Sequence, residues 1–321
     1  MNGYQNLWSD KIFPCLTFYI QKTMNQKPRR SFLKKGLGLA ALPLLGFKNP
    51  NLLPQSKKNN LKLSLNAFSF NAALNAQTLS LEGLLRFCAE SGIPALDLTA
   101  YYIPSYPEVP ADEILYGIKK QAHHWGIDIS GTGVRNDFTL QNAEKRKEEV
   151  KLVKQWIVAA SKMGAPVLRV FAGKANVEGA VWKQVADGVI AGMQECAAFA
   201  AEYGVIVAMQ NHNDFIKSAD QVNYIMENVN EEWFGLVLDI GSYSLKDPYN
   251  EISENIHHAV NWQIKENVNH FGVQKPVDLK RLMKIIKSSD YQGYLPIETL
   301  GPGDPFQKVR DFLKSVEKAL R

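Results

Sequence analysis

From Leu61 to Arg321 the chain repeats one unit eight times: a short apolar run, a turn, then a longer stretch with helical spacing of its apolar residues. The runs are "LKLSLNAFSF" (61–70), "PALDLTAYY" (94–102), "IDISGTGV" (127–134), "PVLRVFAG" (166–173), "VIVAMQNH" (205–212), "FGLVLDIG" (234–241), "AVNWQIKE" (259–266) and "YLPIETLG" (294–301). Runs this short and apolar read as strands buried on both faces, and a helix between two strands makes them parallel. The helices fall near residues 80–91, 111–125, 141–163, 178–203, 218–229, 250–258, 277–289 and 304–320. Several end on a glycine before the next strand, at Gly92, Gly126, Gly164 and Gly204, as a left-handed C-terminal cap favours. In the third helix "EKRKEEVK" faces water before "LVKQWIVAA" turns inward.

Two architectures accept eight such units, a closed (β/α)8 barrel and a doubly wound open sheet. No G-x-G-x-x-G follows the first run, and polar residues recur at the ends of nearly all eight. An open sheet uses only the strand ends beside its switch point, whereas a barrel gathers all of them at one mouth. The sequence therefore predicts a single-domain (β/α)8 TIM barrel over residues 61–321, with a leader over 1–50 and a linker over 51–60.

Charge separates the leader from the body. Residues 1–60 hold ten Lys/Arg against Asp10 alone, so the formal +5 of the chain hides a body of 27 bases and 31 acids. A net acidic body carries no phosphate-backbone footprint, which argues against nucleic acid as a partner. In the leader, Arg29 and Arg30 precede "SFLKK" and an apolar stretch from Gly36 to Phe47 that is too short to span a bilayer. This pattern resembles a twin-arginine export signal, with Pro28 where Ser or Thr is usual. It implies the export machinery as a partner and a periplasmic location; a basic arm on a cytoplasmic protein is the alternative. Met24, just ahead of the arginines, is a second candidate start. Cys88 and Cys196 lie in helical patterns without metal-ligand spacing; they read as buried small hydrophobes, with a bridge between them left open.

Side chains alternate along a strand, so one parity points into the barrel. That parity carries Gln210 and His212 at the end of the fifth run, Asp239 on the sixth, Gln263 and Lys265 on the seventh and Glu298 on the eighth. Gln210, Asp239, Gln263 and Glu298 are each about one βα unit apart. Four oxygen-bearing side chains thus stand side by side at the C-terminal rim, a set that suits one divalent cation with hard oxygen ligands.

The strand ends resemble those of the sugar phosphate isomerase/epimerase superfamily, the xylose isomerase-like TIM barrels. That family's strand-five "ENH", strand-six "LDxG", strand-seven "HxKD/E" and strand-eight glutamate stand here as "QNH" (210–212), "LDIGS" (238–242), "QIKE" (263–266) and "PIET" (296–299). The resemblance covers essentially all of residues 61–321. It implies Gln210, Asp239, Gln263 and Glu298 as ligands of one divalent metal ion, and His212 as a substrate-facing histidine. Two ligand positions depart from the pattern, both to glutamine. An amide offers oxygen but neither charge nor imidazole nitrogen, which favours Mg²⁺, Mn²⁺ or Ca²⁺ over Zn²⁺. Gln210 also cannot serve as a general base, which leaves Glu298 and His212 as the titratable pair.

Lys265 either stabilises an enolate or pairs with Glu266 or Asp239. Arg169 either clamps an anionic or hydroxyl-rich ligand or pairs with Asp239. Asn66, Tyr101, Tyr102, Phe171 and Trp262 are candidates to line a sugar pocket. Asn213 and Asp214 are expected to cap the next helix, and "GPGDPF" (301–306) to turn into the last one. The function implied is metal-assisted proton transfer next to the carbonyl of a small carbohydrate, with Glu298, His212 and Lys265 as catalytic groups. A lyase acting on 3-keto-glycosides by the same proton abstraction is one alternative and a non-catalytic sugar-binding barrel another. A repair endonuclease of the same superfamily would need many more His and Glu ligands and a basic surface. Homo-oligomerisation is left open.

Overall fold

The computed structural model describes residues 60–321 apart from Asn213. The leader with its paired arginines, and the linker up to residue 59, lie outside the described residues. Eight parallel strands close into a barrel in the order β1-β10-β7-β6-β5-β4-β3-β2. They are β1 (Leu61–Asn66), β2 (Ala95–Thr99), β3 (Asp128–Gly133), β4 (Val167–Phe171), β5 (Ile206–Gln210), β6 (Phe234–Asp239), β7 (Ala259–Lys265) and β10 (Gly293–Glu298). Helices α2 (Leu81–Glu90), α3 (Asp112–Trp125), α4 (Ala143–Met163), α5 (Gly179–Ala200), α6 (Ala219–Val229), α7 (Pro248–Asn255), α8 (Leu279–Ser288) and α9 (Pro305–Leu320) follow the strands in turn. The predicted TIM barrel is the observed fold. No helix among the described residues is long and apolar enough to cross a membrane.

The departures are local. The first run leaves the sheet at Asn66, whose side-chain oxygen accepts the Phe68 N–H at 2.9 Å and starts a 3-10 turn over Ala67–Phe70, then the short α1 (Asn71–Asn75). Between β7 and α8 sits an antiparallel hairpin that the repeat does not announce, β8 (Asn267–His270) and β9 (Val273–Pro276). Its two-residue turn holds Phe271 at φ +50° and Gly272 at φ +81°, the left-handed pair that a tight hairpin requires. Phenylalanine in place of Asn or Asp hides that signal. Helix α6 begins after Ser218, whose hydroxyl caps the Gln221 N–H. Asp214 therefore does not cap it, and Asn213 lies outside the described residues. "GPGDPF" does turn into α9, with Asp304 as the cap and Pro305 in the first turn. Cys88 and Cys196 are both buried and unbridged, and burial pushes each thiol up to about 12.

The main core fills the space between barrel and helices, with Trp156, Phe138 and Phe215 among its fully buried side chains. Inside the barrel, one pleat below the rim, Val167, Ala208 and Val237 form a small apolar layer. Beside it Asn261 of β7 reaches across to β2 and donates to Asp97 Oδ2 at 2.9 Å. The room for this crossing comes from β3. A methyl group at Gly131 would meet Asp97 Oδ2 at 2.9 Å, and one at Gly133 would meet Arg169 Nε at 2.7 Å. β3 thus lends the lumen its backbone and no side chain at these two levels.

Burial pushes the Asp97 carboxyl up to about 6 from 3.8, against the pull of the Arg169 charge and the Asn261 amide. A carboxyl raised on folding contributes stability that is complete below pH about 4 and lost as pH climbs through about 6. Asp97→Asn keeps an oxygen for Asn261 and removes the charge. It should gain up to about 3 kcal/mol at pH 8 and nothing at pH 4, read from urea unfolding at the two pH values.

Candidate active site

At the C-terminal end of the barrel the strand tips surround a cavity of about 460 Å³. Asn66, Tyr101, Arg169, Phe171, Gln210, His212, Gln263, Lys265 and Glu298 all line it. Asp239 lies behind this wall and is fully buried. Two aromatic expectations are corrected. Trp262 sits on the opposite parity of β7 from Gln263 and Lys265, fully buried and packed edge-on against Tyr291 at 5.8 Å. Tyr102 turns away to donate to Asn71 Oδ1 at 2.9 Å and borders a separate cavity.

The four residues expected to hold a cation do come together: hydrogen bonds join three of them, and Glu298 reaches them through Lys265. Gln210 Nε2 donates to Asp239 Oδ2 at 2.7 Å and to Gln263 Oε1 at 2.6 Å. Ser242 Oγ adds a bond to Asp239 Oδ2 at 2.9 Å, and the Gly241 N–H one to Oδ1 at 2.9 Å. The amide orientation of Gln210 follows from its neighbour: the nitrogen faces a carboxylate oxygen, which an amide oxygen would repel. Lys265 extends from β7 into this group, its ammonium 2.6 Å from Asp239 Oδ2 and 3.4 Å from Glu298 Oε2. Of the two pairings open to it, the lysine takes Asp239; Glu266 instead meets Lys308 and the Leu300 N–H.

As arranged, these side chains do not fit a divalent ion. Asp239 already receives four donors, about as many as its two oxygens accept. The oxygen of Gln263 is turned to Gln210, and an ammonium stands between the two carboxylates. Among the described residues no three His, Cys, Asp or Glu side chains are placed to share an ion.

The charges divide the carboxylates by role. Burial opposes ionisation of Asp239, but Lys265, the Gly241 N–H and Gln210 overcome it and hold its carboxyl below the usual range. At Glu298 burial wins over the more distant ammonium, and its pKa is raised. Burial also works against the charge on Lys265, yet Asp239 and Glu298 more than offset it and keep the lysine protonated. Asp239 is thus a fixed counter-charge, whereas Glu298 is a carboxyl at the cavity wall that can exchange a proton.

Two further groups face the cavity. His212, at the end of β5, packs edge-on against Phe171 at 5.0 Å. Its Nδ1 lies 3.1 Å from Asp214 Oδ2 but off the hydrogen-bonding line, so that buried nitrogen has no satisfying partner among the described residues. Burial outweighs the nearby Asp239 and Asp214 charges and keeps the imidazole neutral at physiological pH. On the far side Arg169 is held by neutral acceptors rather than by Asp239, donating to Val134 O at 2.6 Å and to the Tyr101 hydroxyl at 2.7 Å. Its guanidinium lies 4.2 Å from the Phe171 ring centre, and Arg135 stacks on Tyr101 at the same distance. Sequence reading missed Arg135, together with Thr99, Asn136 and Lys174 on the cavity wall. Arg135, Asn136 and Lys174 sit just past the apolar runs, where no periodicity marks the direction of a side chain.

The sequence model for the xylose isomerase-like TIM barrel matches residues 85–316. The chain belongs to that family. No curated protein sequence matches it. Among solved structures, D-psicose 3-epimerase from Clostridium cellulolyticum H10, determined with D-tagatose, superposes with a TM-score of 0.67 at 13% identity, covering 81% of this chain and 99% of that one. A xylose isomerase domain protein from Planctomyces limnophilus gives 0.65 at 15% identity over 82% and 97%. The 3-keto-D-glucoside 4-epimerase of E. coli gives 0.62 at 13% identity over 81% and 100%. At these identities the likeness to individual structures is one of fold.

Within this xylose isomerase-like barrel Lys265 is the counter-charge to two buried carboxylates. Lys265→Met should destabilise the protein by about 3–5 kcal/mol near neutral pH, because it strands both. The deficit should shrink as acid protonates them, so the gap from wild type in urea unfolding midpoint narrows from pH 8 to pH 5.

Proposed function

We propose that this protein is a carbohydrate isomerase or epimerase that moves a proton at a carbon next to a carbonyl. One observation carries the reading: among the described residues Glu298 lines the cavity with a single 3.4 Å polar contact, to the Lys265 ammonium, which also faces the cavity. A carboxyl of raised pKa beside a fixed cation is the arrangement that proton abstraction next to a carbonyl requires. The base takes the proton while the cation lies beside the oxygen where negative charge develops. Family membership and the sugar epimerases among the structural relatives support the substrate class.

Glu298 is the general base in this reading. Gln210 stands where the resemblance implies a second acid and transfers no proton. The second proton-handling group is His212, whose neutral imidazole accepts a proton from the side of β5, three strands from β10 around the barrel. Arg169, fixed by Val134 and Tyr101, and Asn66 position the hydroxyl or acidic groups of the sugar, with Phe171 against its apolar face. The donor set as arranged does not accept a divalent ion, and the proposed reaction needs none.

Proton exchange at the substrate tests the reading directly. Wild-type protein in D2O should introduce deuterium next to the carbonyl of a ketose or a 3-keto-glucoside, followed by proton NMR. Glu298→Gln should slow this exchange by about 10²–10⁴-fold with the fold intact by circular dichroism. The wild-type rate should rise with pH through a value above the 4.5 of an ordinary glutamate, since the base works ionised. Product analysis separates the chemistries. An epimer or isomer supports this reading, release of an aglycone from the 3-keto-glucoside supports a lyase, and no exchange on either supports a binding barrel.

A further inference from the structure

The resemblance of the strand ends implies a divalent ion at this rim, and the donors assembled there point to a different cation. Asp239 Oδ2 is filled by Gln210, Ser242 and Lys265, and its Oδ1 takes the Gly241 N–H. Gln210 uses one N–H on Asp239 and the other on Gln263, so a single amide ties two of the expected ligands together from within. A glutamate at 210 could not make both bonds, because it has no N–H and at most one O–H to donate. The glutamines also lower the fixed charge at the rim to the two carboxylates Asp239 and Glu298.

The lysine is accommodated by its surroundings. Gly241 lies against its stem, and a methyl group there would come within 2.9 Å of Lys265 Cδ. Next to that glycine in the chain, Ser242 completes the donors around Asp239. An ammonium has three N–H groups. One meets Asp239 at 2.6 Å, one points to Glu298 at 3.4 Å, and the third is left for an oxygen in the cavity.

We propose that the Lys265 ammonium is the resident cation of this site, standing where a divalent metal would stand and doing its electrostatic work, so that the protein functions without a metal ion. In the reaction the Glu298 carboxylate takes the proton from the carbon beside the carbonyl. The C–H electron pair becomes the new C=C bond, and the carbonyl π pair moves to oxygen as an enolate held by the third Lys265 N–H. Return of the proton to carbon reverses the flow, and no electron acceptor or other co-reactant is consumed. The catalytic half of this inference rests on the proton-transfer reading above; the cation half does not.

Mn²⁺ is the probe, because its free ion is counted directly by electron paramagnetic resonance. EDTA-treated full-length protein titrated with Mn²⁺ to about 1 mM should show no saturable site and no change in melting temperature. Lys265→Ala, which frees Asp239 and Glu298, should gain one site and melt several degrees higher with Mn²⁺ than without it. One equivalent of Mn²⁺ bound by the wild type at micromolar affinity would overturn the proposal. So would a folded Lys265→Ala chain that still ignores the ion. The wild-type titration decides the matter alone if that variant fails to fold. If the wild type binds no Mn²⁺ and also exchanges no substrate proton, the resident cation stands and the proposed reaction falls. If exchange is seen but disappears with EDTA and returns with Mn²⁺, the reaction stands and the resident cation falls.

Discussion

A 2.6 Å contact between Lys265 and the fully buried Asp239 holds the mouth of this barrel together. Taking either charge out of water alone costs several kcal/mol, so each is tolerable there only because of the other. The pair then recruits neighbours. Gln210 from β5, Ser242 and the Gly241 N–H after β6, and Glu298 from β10 all converge on it. Four neighbouring strands around one side of the mouth are thereby set at fixed distances. The cavity in front of them inherits that rigidity, and in the proposed reaction the Glu298 carboxyl would gain from it because proton transfer depends on placement.

The two sides of the mouth are built on different physics. The side formed by β5, β6, β7 and β10 is a hydrogen-bonded ionic cluster. On the side of β2, β3 and β4, cations rest on aromatic faces, Arg169 on Phe171 and Arg135 on Tyr101, with neutral acceptors around Arg169. A guanidinium held by stacking and carbonyls keeps donors free for a ligand, whereas one clamped to a carboxylate does not. A polar, unsymmetrical molecule bound between the sides meets a proton acceptor at one end and hydrogen-bond donors at the other.

Much of this was legible in the residues, for physical reasons that differ by feature. Eight apolar runs separated by helices leave few ways to bury both strand faces, and polar residues at nearly every strand end then select the closed barrel over the open sheet. Parity likewise brings Gln210, Gln263, Lys265 and Glu298 to the lumen, because alternation is a property of the strand and needs no neighbour. Applied to Trp262, the same parity would have removed it from the pocket. What stayed hidden was pairing. Which of Asp239 and Glu266 takes Lys265, and whether Arg169 meets an acid or a tyrosine, depends on distances across the barrel that no local pattern encodes. The expected metal site turned on this step: the right oxygens gathered, but Gln210 and Lys265 take up those of Asp239 and Gln263, and an ammonium stands beside Glu298. The hairpin of β8 and β9 stayed hidden too, since Phe271 holds a turn position that sequence rules assign to smaller residues.

The bare inner face of β3 has a historical consequence. Gly131 and Gly133 are empty because Asp97 and Arg169 occupy their space, and a methyl group at Gly133 would overlap the guanidinium. Arg169 and the glycine opposite it therefore form one heritable unit. A lineage that lost the glycine first would displace the arginine at once, whereas one that lost the arginine first would leave a hole that nearly any small residue could later fill. The order of change is thus constrained, and an arginine at 169 without glycine at 133 should be rare among descendants of this barrel.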